Sequence, residues 1–360
     1  MDREQRLLEE LSNAFGPSGF EESIREIVIR ELAPLSDSIQ TDGIGSVIAS
    51  LNGTNSNPIV MLAAHMDEVG AIVKLITPEG FVKIQTLGGW LDNALINQRF
   101  IIKTRNGNVL GLTGLKTPHV MKVEDRNKVI AASDIFIDIG AKDKEDAEER
   151  LGIKPGDPIA PDSKFALLND EKIYLGKAWD DRVGIGTMIE VFRNLKNLST
   201  HGTIYAAATV QEEVGLRGAH TSSYTIPAQI GINLESGIAS DYPGISQEEA
   251  QAKLGNGPGI LLYDSSMLPN LKFRDLCIDT AKKLKINLQF EVLSGYGEDG
   301  AEIQKSRSGV PTVAITVPTR YLHNHNSVIN RDDFDQTVKL VTEIIKDLDT
   351  DTVEQLTKFS

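Results

Sequence analysis

Several short stretches of the chain place imidazole and carboxylate groups where they could bind a cation or move a proton. They are His65-Met-Asp67-Glu68, Asp180-Asp181, Glu212-Glu213 and Glu235, with His323 and His325 further on. In His65-x-Asp67, one ring nitrogen can bind an ion while the carboxylate holds the other N–H and fixes the tautomer. The same tripeptide also reads as a strand-end histidine beside an exposed acid. Asp180 can bridge two cations, yet Asp-Asp-Arg ahead of a helix is equally a capping sequence. Glu212 and Glu213 repel each other unless a cation lies close. Adjacent side chains point in different directions, so one can ligate a metal while its neighbour faces a water as general base. Composition does not choose between His323 and His325.

These residues gain weight from the elements that must hold them. Ile59-Val-Met-Leu-Ala-Ala64 is a continuous apolar run of the kind found in buried parallel strands, and similar runs recur at 203–210, 229–234 and 311–317. Helical patterns at 183–195, 271–284 and 334–348 alternate with them. The expected fold is therefore α/β, with a mostly parallel central sheet flanked by helices. In such sheets the sites lie beyond the carboxyl ends of the strands. His65, Glu212-Glu213, Glu235 and His323 each follow an apolar run, and Asp180 precedes a helix. Two imidazoles and at least three carboxylates then converge on one sheet edge. That donor set suits two zinc-like ions about 3.5–4 Å apart sharing a water.

Residues 71–164 read differently, with short strand candidates at 71–77, 81–85, 100–104, 109–115 and 134–139 and one short acidic helix at 142–151. Arg105-Asn-Gly-Asn108 supplies a hairpin turn signal. This segment is expected to be a small β-rich domain inserted between residues 1–70 and 165–360, which form the α/β domain. At the N-terminus, Leu7, Leu8, Leu11, Ala14 and Phe15 share a helical face ended by Gly16-Pro17, and Ser18 with Glu21 resembles a capping box for a second helix.

Composition removes other functions. The 360 residues carry 51 acidic and 37 basic side chains, a formal net charge of −14, which disfavours nucleic acid as a partner. No apolar run approaches the roughly 20 residues needed to span a bilayer, and the N-terminal pattern is unlike a signal peptide. Cys277 is the single cysteine, so no intrachain disulfide or thiolate cluster forms; it falls on the apolar face of helix 271–284, as a core residue. A soluble, cytoplasmic protein is expected.

Four segments together resemble the glutamyl aminopeptidase family, whose best-known members are the tetrahedral (TET) aminopeptidases. They are Ala64-His-Met-Asp-Glu-Val-Gly70, Lys177-Ala-Trp-Asp-Asp-Arg-Val-Gly184, Gln211-Glu-Glu-Val-Gly-Leu-Arg-Gly-Ala219 and Pro318-Thr-Arg-Tyr-Leu-His323. Asp241-Tyr-Pro-Gly244 and Leu254-Gly-Asn-Gly-Pro258 also fit, so the resemblance runs through nearly the whole chain. It implies that His65, Asp180 and Glu235 hold one metal ion and that Asp180, Glu213 and His323 hold the other. It makes Glu212 the general base and Asp67 the partner that orients His65. It further implies a dimerisation role for the inserted domain and assembly of dimers into a hollow dodecamer. The chain departs from the family pattern at Glu235, where many members carry Asp, and at Gly297-Glu-Asp-Gly300, which replaces a Gly-Thr-Asp-Ala-like turn.

The expected activity is removal of N-terminal residues from peptides, with Glu212 taking a proton from the attacking water and returning it to the leaving amine. Zinc, cobalt and manganese all suit histidine–carboxylate ligands. A related metal-dependent carboxypeptidase or amide deacylase uses similar ligands. A non-enzymatic scaffold requires a missing ligand, and every position here has a competent residue. Sugar hydrolysis lacks its stacking platform and isolated acid pair. The preferred first residue is left open.

Overall fold

The structure is a computed structural model that describes residues 1–125 and 128–358. The apolar runs form Ile59–His65, Thr203–Thr209, Ile230–Ile238 and Thr312–Arg320, which lie side by side and run parallel. They are the centre of an 11-stranded sheet. Antiparallel strands extend it on both sides. Val47–Leu51 and Ser38–Thr41 continue from Thr203–Thr209, while Ser327–Asn330, Ile173–Gly176 and Ala166–Leu167 continue from Thr312–Arg320. The expected parallel character thus belongs to the four central strands and to the short pair Gly259–Tyr263 and Gln289–Val292.

Side chains alternate across a strand, so each central strand feeds two cores. Val60, Leu62, Ala64, Ile204, Ala206, Ala208, Val313 and Ile315 face helices Arg3–Asn13, Glu22–Leu32, Trp179–Lys196 and Arg331–Lys346. Met61, Ala63 and Ala207 face the other way, toward Ile226 and Ile303. Burial on both faces explains why these strands read as unbroken apolar runs. Cys277 lies buried in helix Leu271–Leu284, in the first core.

Six strands between Gly70 and Pro161 close into a barrel around Val73, Val82, Ile84, Phe100, Ile102, Ile137 and Ile159. Five occupy the segments read from the sequence. The sixth, Pro158–Pro161, pairs with both Gly70–Ile76 and Arg99–Thr104 and closes the ring. Its Pro-Ile-Ala-Pro sequence carries no alternation that would mark a strand. The hairpin at Arg105-Asn106 joins Thr104 to its partner Gly107.

A buried charge cluster fastens the N-terminal helices to the central sheet. Lys177 Nζ lies 2.6 and 2.7 Å from the two oxygens of Glu68, which also accepts from Gly16 N at 3.0 Å. Arg182 donates to the carbonyls of Met66 and Leu11 at 2.8 and 2.7 Å. Among the described residues, no helix is long and apolar enough to cross a membrane.

Candidate active site

Because the central strands are parallel, their carboxyl ends share one edge, and the candidate residues gather there. His65 closes its strand directly opposite Thr209, the last residue of the neighbouring strand, and Glu212 and Glu213 follow in the loop just beyond it. Glu235 lies inside strand Ile230–Ile238, not beyond its end as the apolar run suggests. The backbone goes on pairing through Glu235–Thr316 and Ser236–Val317 although the side chains have become polar. His323 sits on the turn after Thr312–Arg320, and Asp180 lies where helix Trp179–Lys196 has not yet taken helical dihedrals. Ala178, Gln211, Tyr321 and His323 have left-handed backbones with φ between 55 and 63°. Such non-glycine residues cost roughly 1 kcal/mol or more each and cluster at functional sites.

The side chains resolve into two groups that share one residue. His65, Asp180 and Glu235 bring ligand atoms within 4.8 Å of one another, and so do Asp180, Glu213 and His323. Asp180 Oδ1 is 3.0 Å from His65 Nε2, and Asp180 Oδ2 is 3.2 Å from His323 Nε2. Each imidazole is anchored through its far nitrogen. His65 Nδ1 donates to the Asp67 carbonyl at 3.1 Å, and His323 Nδ1 donates to the Gly89 carbonyl at 2.6 Å. A carbonyl only accepts, so both rings carry a proton on Nδ1, and Nε2 is the atom that faces the carboxylates and could offer a lone pair to a cation. Glu213 Oε1 is buried without a hydrogen-bond partner, 3.5 Å from His323 Nε2. An orphaned carboxylate oxygen beside the His323 ring nitrogen fits a divalent cation.

Charge shifts point the same way. Burial pushes the Glu213 carboxyl up to about 8 and raises Glu235 and Glu212 well above the ordinary range. Burial alone would lower His323, but Asp180 and Glu213 outweigh it and raise the ring to about 9. Asp180 is also desolvated, yet the two histidines hold its carboxyl below the usual range. So many carboxyl groups buried together repel one another and lose hydration, and a bound cation would relieve both costs.

Glu212 belongs to neither group, although its Oε2 lies 3.9 Å from His65 Nε2. Asp67 is fully buried and is 3.5 Å from His65 Nδ1, while its two oxygens accept from Glu212 N at 2.9 Å, Glu213 N at 3.1 Å and Ser18 Oγ at 2.6 Å. Its carboxylate therefore holds the Glu212-Glu213 backbone more closely than it holds the ring. Ser18 and Glu21 do not form the expected capping box. The second helix begins at Glu22 without a side-chain cap, and Glu21 accepts from Gly19 N at 2.7 Å and Gln211 N at 3.1 Å. The N-terminal turn is thus strapped to the loop that carries Glu212. Asp181, by contrast, does cap its helix, accepting from Gly184 N at 3.0 Å. His325 packs between Trp90 and Phe100, away from both ligand groups.

The barrel reaches the site through Gly88-Gly89. Gly88 has φ +78°, and a Cβ there would fall 2.8 Å from Glu213 Oε2, so only glycine admits the approach. Nothing in the sequence marks this pair as part of the site.

Known proteins share this arrangement of elements and sequence. The model of the M42 glutamyl aminopeptidase family matches residues 45–340. A TET aminopeptidase from the marine sediment archaeon Thaumarchaeota archaeon SCGC AB-539-E09 superposes with a TM-score of 0.96 at 41% identity, covering 99% of this chain and 100% of that one. The Pyrococcus horikoshii TET1 peptidase, which can assemble into a tetrahedron or a large octahedral shell, has a TM-score of 0.86 at 31% identity, over 96% of this chain and 100% of its own. Lysyl aminopeptidase of Pyrococcus furiosus is 33% identical over 347 residues, 95% of this chain and 96% of that protein. The family implies divalent cations, which the donor set at the sheet edge suits. Likeness of this extent and identity makes the chain a member of the M42 glutamyl aminopeptidase family, a metal-dependent aminopeptidase.

Proposed function

We propose that the chain removes the first residue of peptides with a free N-terminus at a two-cation site, with zinc the expected ion. The observation that carries this reading is Asp180, which turns one oxygen to each of two histidine–carboxylate groups. His65, Asp180 and Glu235 would hold one ion, and Asp180, Glu213 and His323 the other. Divalent cations bound there supply Lewis acidity for the scissile carbonyl and for the attacking water. Glu212 takes the water's proton and returns it to the leaving amine; it lines the same cavity as both groups, 3.9 Å from His65 Nε2, but is a ligand in neither. Asp67 fixes the backbone from which Glu212 projects.

The charges favour an amino end over a carboxyl end. Asp180, Glu212, Glu213 and Glu235 line the cavity, and among its described lining residues none is Lys or Arg. An α-ammonium finds carboxylates there, whereas a C-terminal carboxylate would need a basic partner. Self-association through the barrel is supported by exposed Leu110, Leu112, Leu115, Val120 and Val123 on and beside strand Gly107–Thr113. We place the enzyme in the cytoplasm, in keeping with its single, buried thiol.

Aminoacyl-coumarins test the reading. Hydrolysis should vanish on N-acetylation of the substrate and on chelation, and return with zinc, cobalt or manganese. Cleavage of the acetylated substrate, or activity indifferent to chelator, would remove it. Ser18→Ala should lower kcat about tenfold, the equivalent of ~1.4 kcal/mol for one hydrogen bond to a carboxylate. KM and metal content should stay near wild type, and Ser18→Thr should restore turnover. An unchanged kcat in the alanine variant would show that the strap does not hold Glu212.

A further inference from the structure

The cavity beside the ligands, about 310 Å³, has a second wall that the chemistry does not use: Leu216 and Gly295-Tyr296-Gly297. Leu216 and Tyr296 pack on a buried apolar cluster of Ala250, Leu261, Met267, Leu293, Ala301 and Ala314. The Tyr296 hydroxyl donates to the Ser236 carbonyl at 2.6 Å, so it is committed to the backbone. A methyl group added at Gly295 would meet nothing within 4 Å, which leaves this side of the cavity open.

Charged groups at and beyond the ends of strands Ile230–Ile238 and Thr312–Arg320 are already satisfied. Arg320 and Asp241 form a two-bonded pair at 2.9 and 2.6 Å, each neutralising the other. Glu298, beneath the turn, is fully buried and accepts from Asn233 Nδ2 at 2.5 Å and from Gly300 N. Burial raises its carboxyl well above the ordinary range. It ties the Gly295–Gly297 wall to the strand that carries Glu235. The acidic residue at this turn, where the family pattern has a shorter side chain, therefore braces the pocket wall through Asn233 and Gly300 without itself lining the cavity.

We infer that this wall receives the side chain of the substrate's first residue and selects a neutral, apolar one such as Leu or Met, with the Gly295-Tyr296-Gly297 turn as its specificity-determining part and Leu216, which belongs to the family motif, as its apolar support. The inference rests on the aminopeptidase reading above. A first-residue carboxylate or ammonium would sit against Leu216 and the Tyr296 ring with no free counter-charge, which is costly. The apolar wall thus discriminates by rejection as well as by fit.

The test compares leucyl-, methionyl-, glutamyl- and lysyl-coumarins on the metal-loaded full chain, together with the rise in melting temperature given by leucine and glutamate hydroxamates. We expect kcat/KM for Leu and Met to exceed that for Glu and Lys at least tenfold, and leucine hydroxamate to give the larger shift. Leu216→Arg should raise the Glu-to-Leu ratio tenfold or more. Gly295→Val, which fills the open side, should favour alanyl over leucyl substrate. Equal or better cleavage of Glu or Lys, or ratios unmoved in both variants, would overturn the inference. Failure to cleave any aminoacyl substrate would instead sink the aminopeptidase reading, and the hydroxamate ranking would still decide whether the wall is apolar-selective.

Discussion

Glu212→Gln is expected to keep its metal and lose about two to four decades of kcat, the range of general acid–base catalysis. Glutamine matches glutamate in shape and can still hydrogen-bond a water, but it cannot take the proton. Glu212 stands outside both ligand groups, so the imidazoles and carboxylates around the cations keep their partners. Its backbone N–H remains bonded to Asp67, and the loop should not move. KM should change little, because a group that acts in the transition state contributes little to ground-state binding. Each decade corresponds to ~1.4 kcal/mol of barrier, so the proton transfer accounts for roughly 3–5 kcal/mol. Metal analysis, KM and kcat measured together separate this role from a ligand's. A variant with near wild-type turnover would exclude Glu212 as the base, and one stripped of metal would make it a ligand.

The division between what sequence reveals and what it hides follows the range of the forces involved. The four central strands are legible because a parallel strand covered on both faces must be apolar at nearly every position, as Val60–Ala64 and Ile204–Ala208 are. From strand order alone, the carboxyl ends, and with them His65, Glu212, Glu213 and His323, fall on one edge. The end of strand Ile230–Ile238 is misplaced by sequence because Glu235 and Ser236 are polar for the sake of the site, not because the strand stops there. Ser18 and Glu21 mislead for a related reason. Their spacing satisfies a local capping rule, yet their partners Asp67 and Gln211 lie 49 and 190 residues away. Local pattern ranks hydrogen bonds by sequence distance, and this turn spends its side chains on tertiary ones. The choice between His323 and His325 is likewise made by packing. Trp90 and Phe100 box in His325, whereas the Gly89 carbonyl turns His323 toward Asp180. Short additions such as Gly259–Tyr263, antiparallel to Thr312–Arg320, and Gln289–Val292, parallel to Gly259–Tyr263, escape notice because a few residues carry too little periodicity.

Asp180→Asn should do more damage to metal binding than loss of any other proposed ligand, because in the proposed site it would act on both cations at once. The two oxygens of Asp180 are not equivalent: Oδ1 faces His65 and Oδ2 faces His323. An asparagine can turn its carbonyl oxygen to one group only, and its NH₂ then confronts the other with a donor where a ligand is needed. The variant also removes the one carboxylate whose charge both imidazoles stabilise. Loss of a partner that merely orients a ligand costs about 10–100-fold in metal affinity, so loss of this direct bridge should cost at least about a hundredfold. The bound ions should fall from two per chain to one or fewer, and activity should fall with them. Asp181→Asn is the informative neighbour. Asp181 Oδ1 accepts from Gly184 N and Oδ2 from His65 N, so its work is to hold backbone. That change should be read in stability, as the loss of a helix cap worth about 1 kcal/mol, with two ions still bound. Titration of both variants with zinc against a competing chelator makes the comparison direct. If Asp180→Asn bound two ions as tightly as the parent, the bridge would be disproved; if Asp181→Asn shed them equally, the division of labour between the two adjacent carboxylates would be wrong.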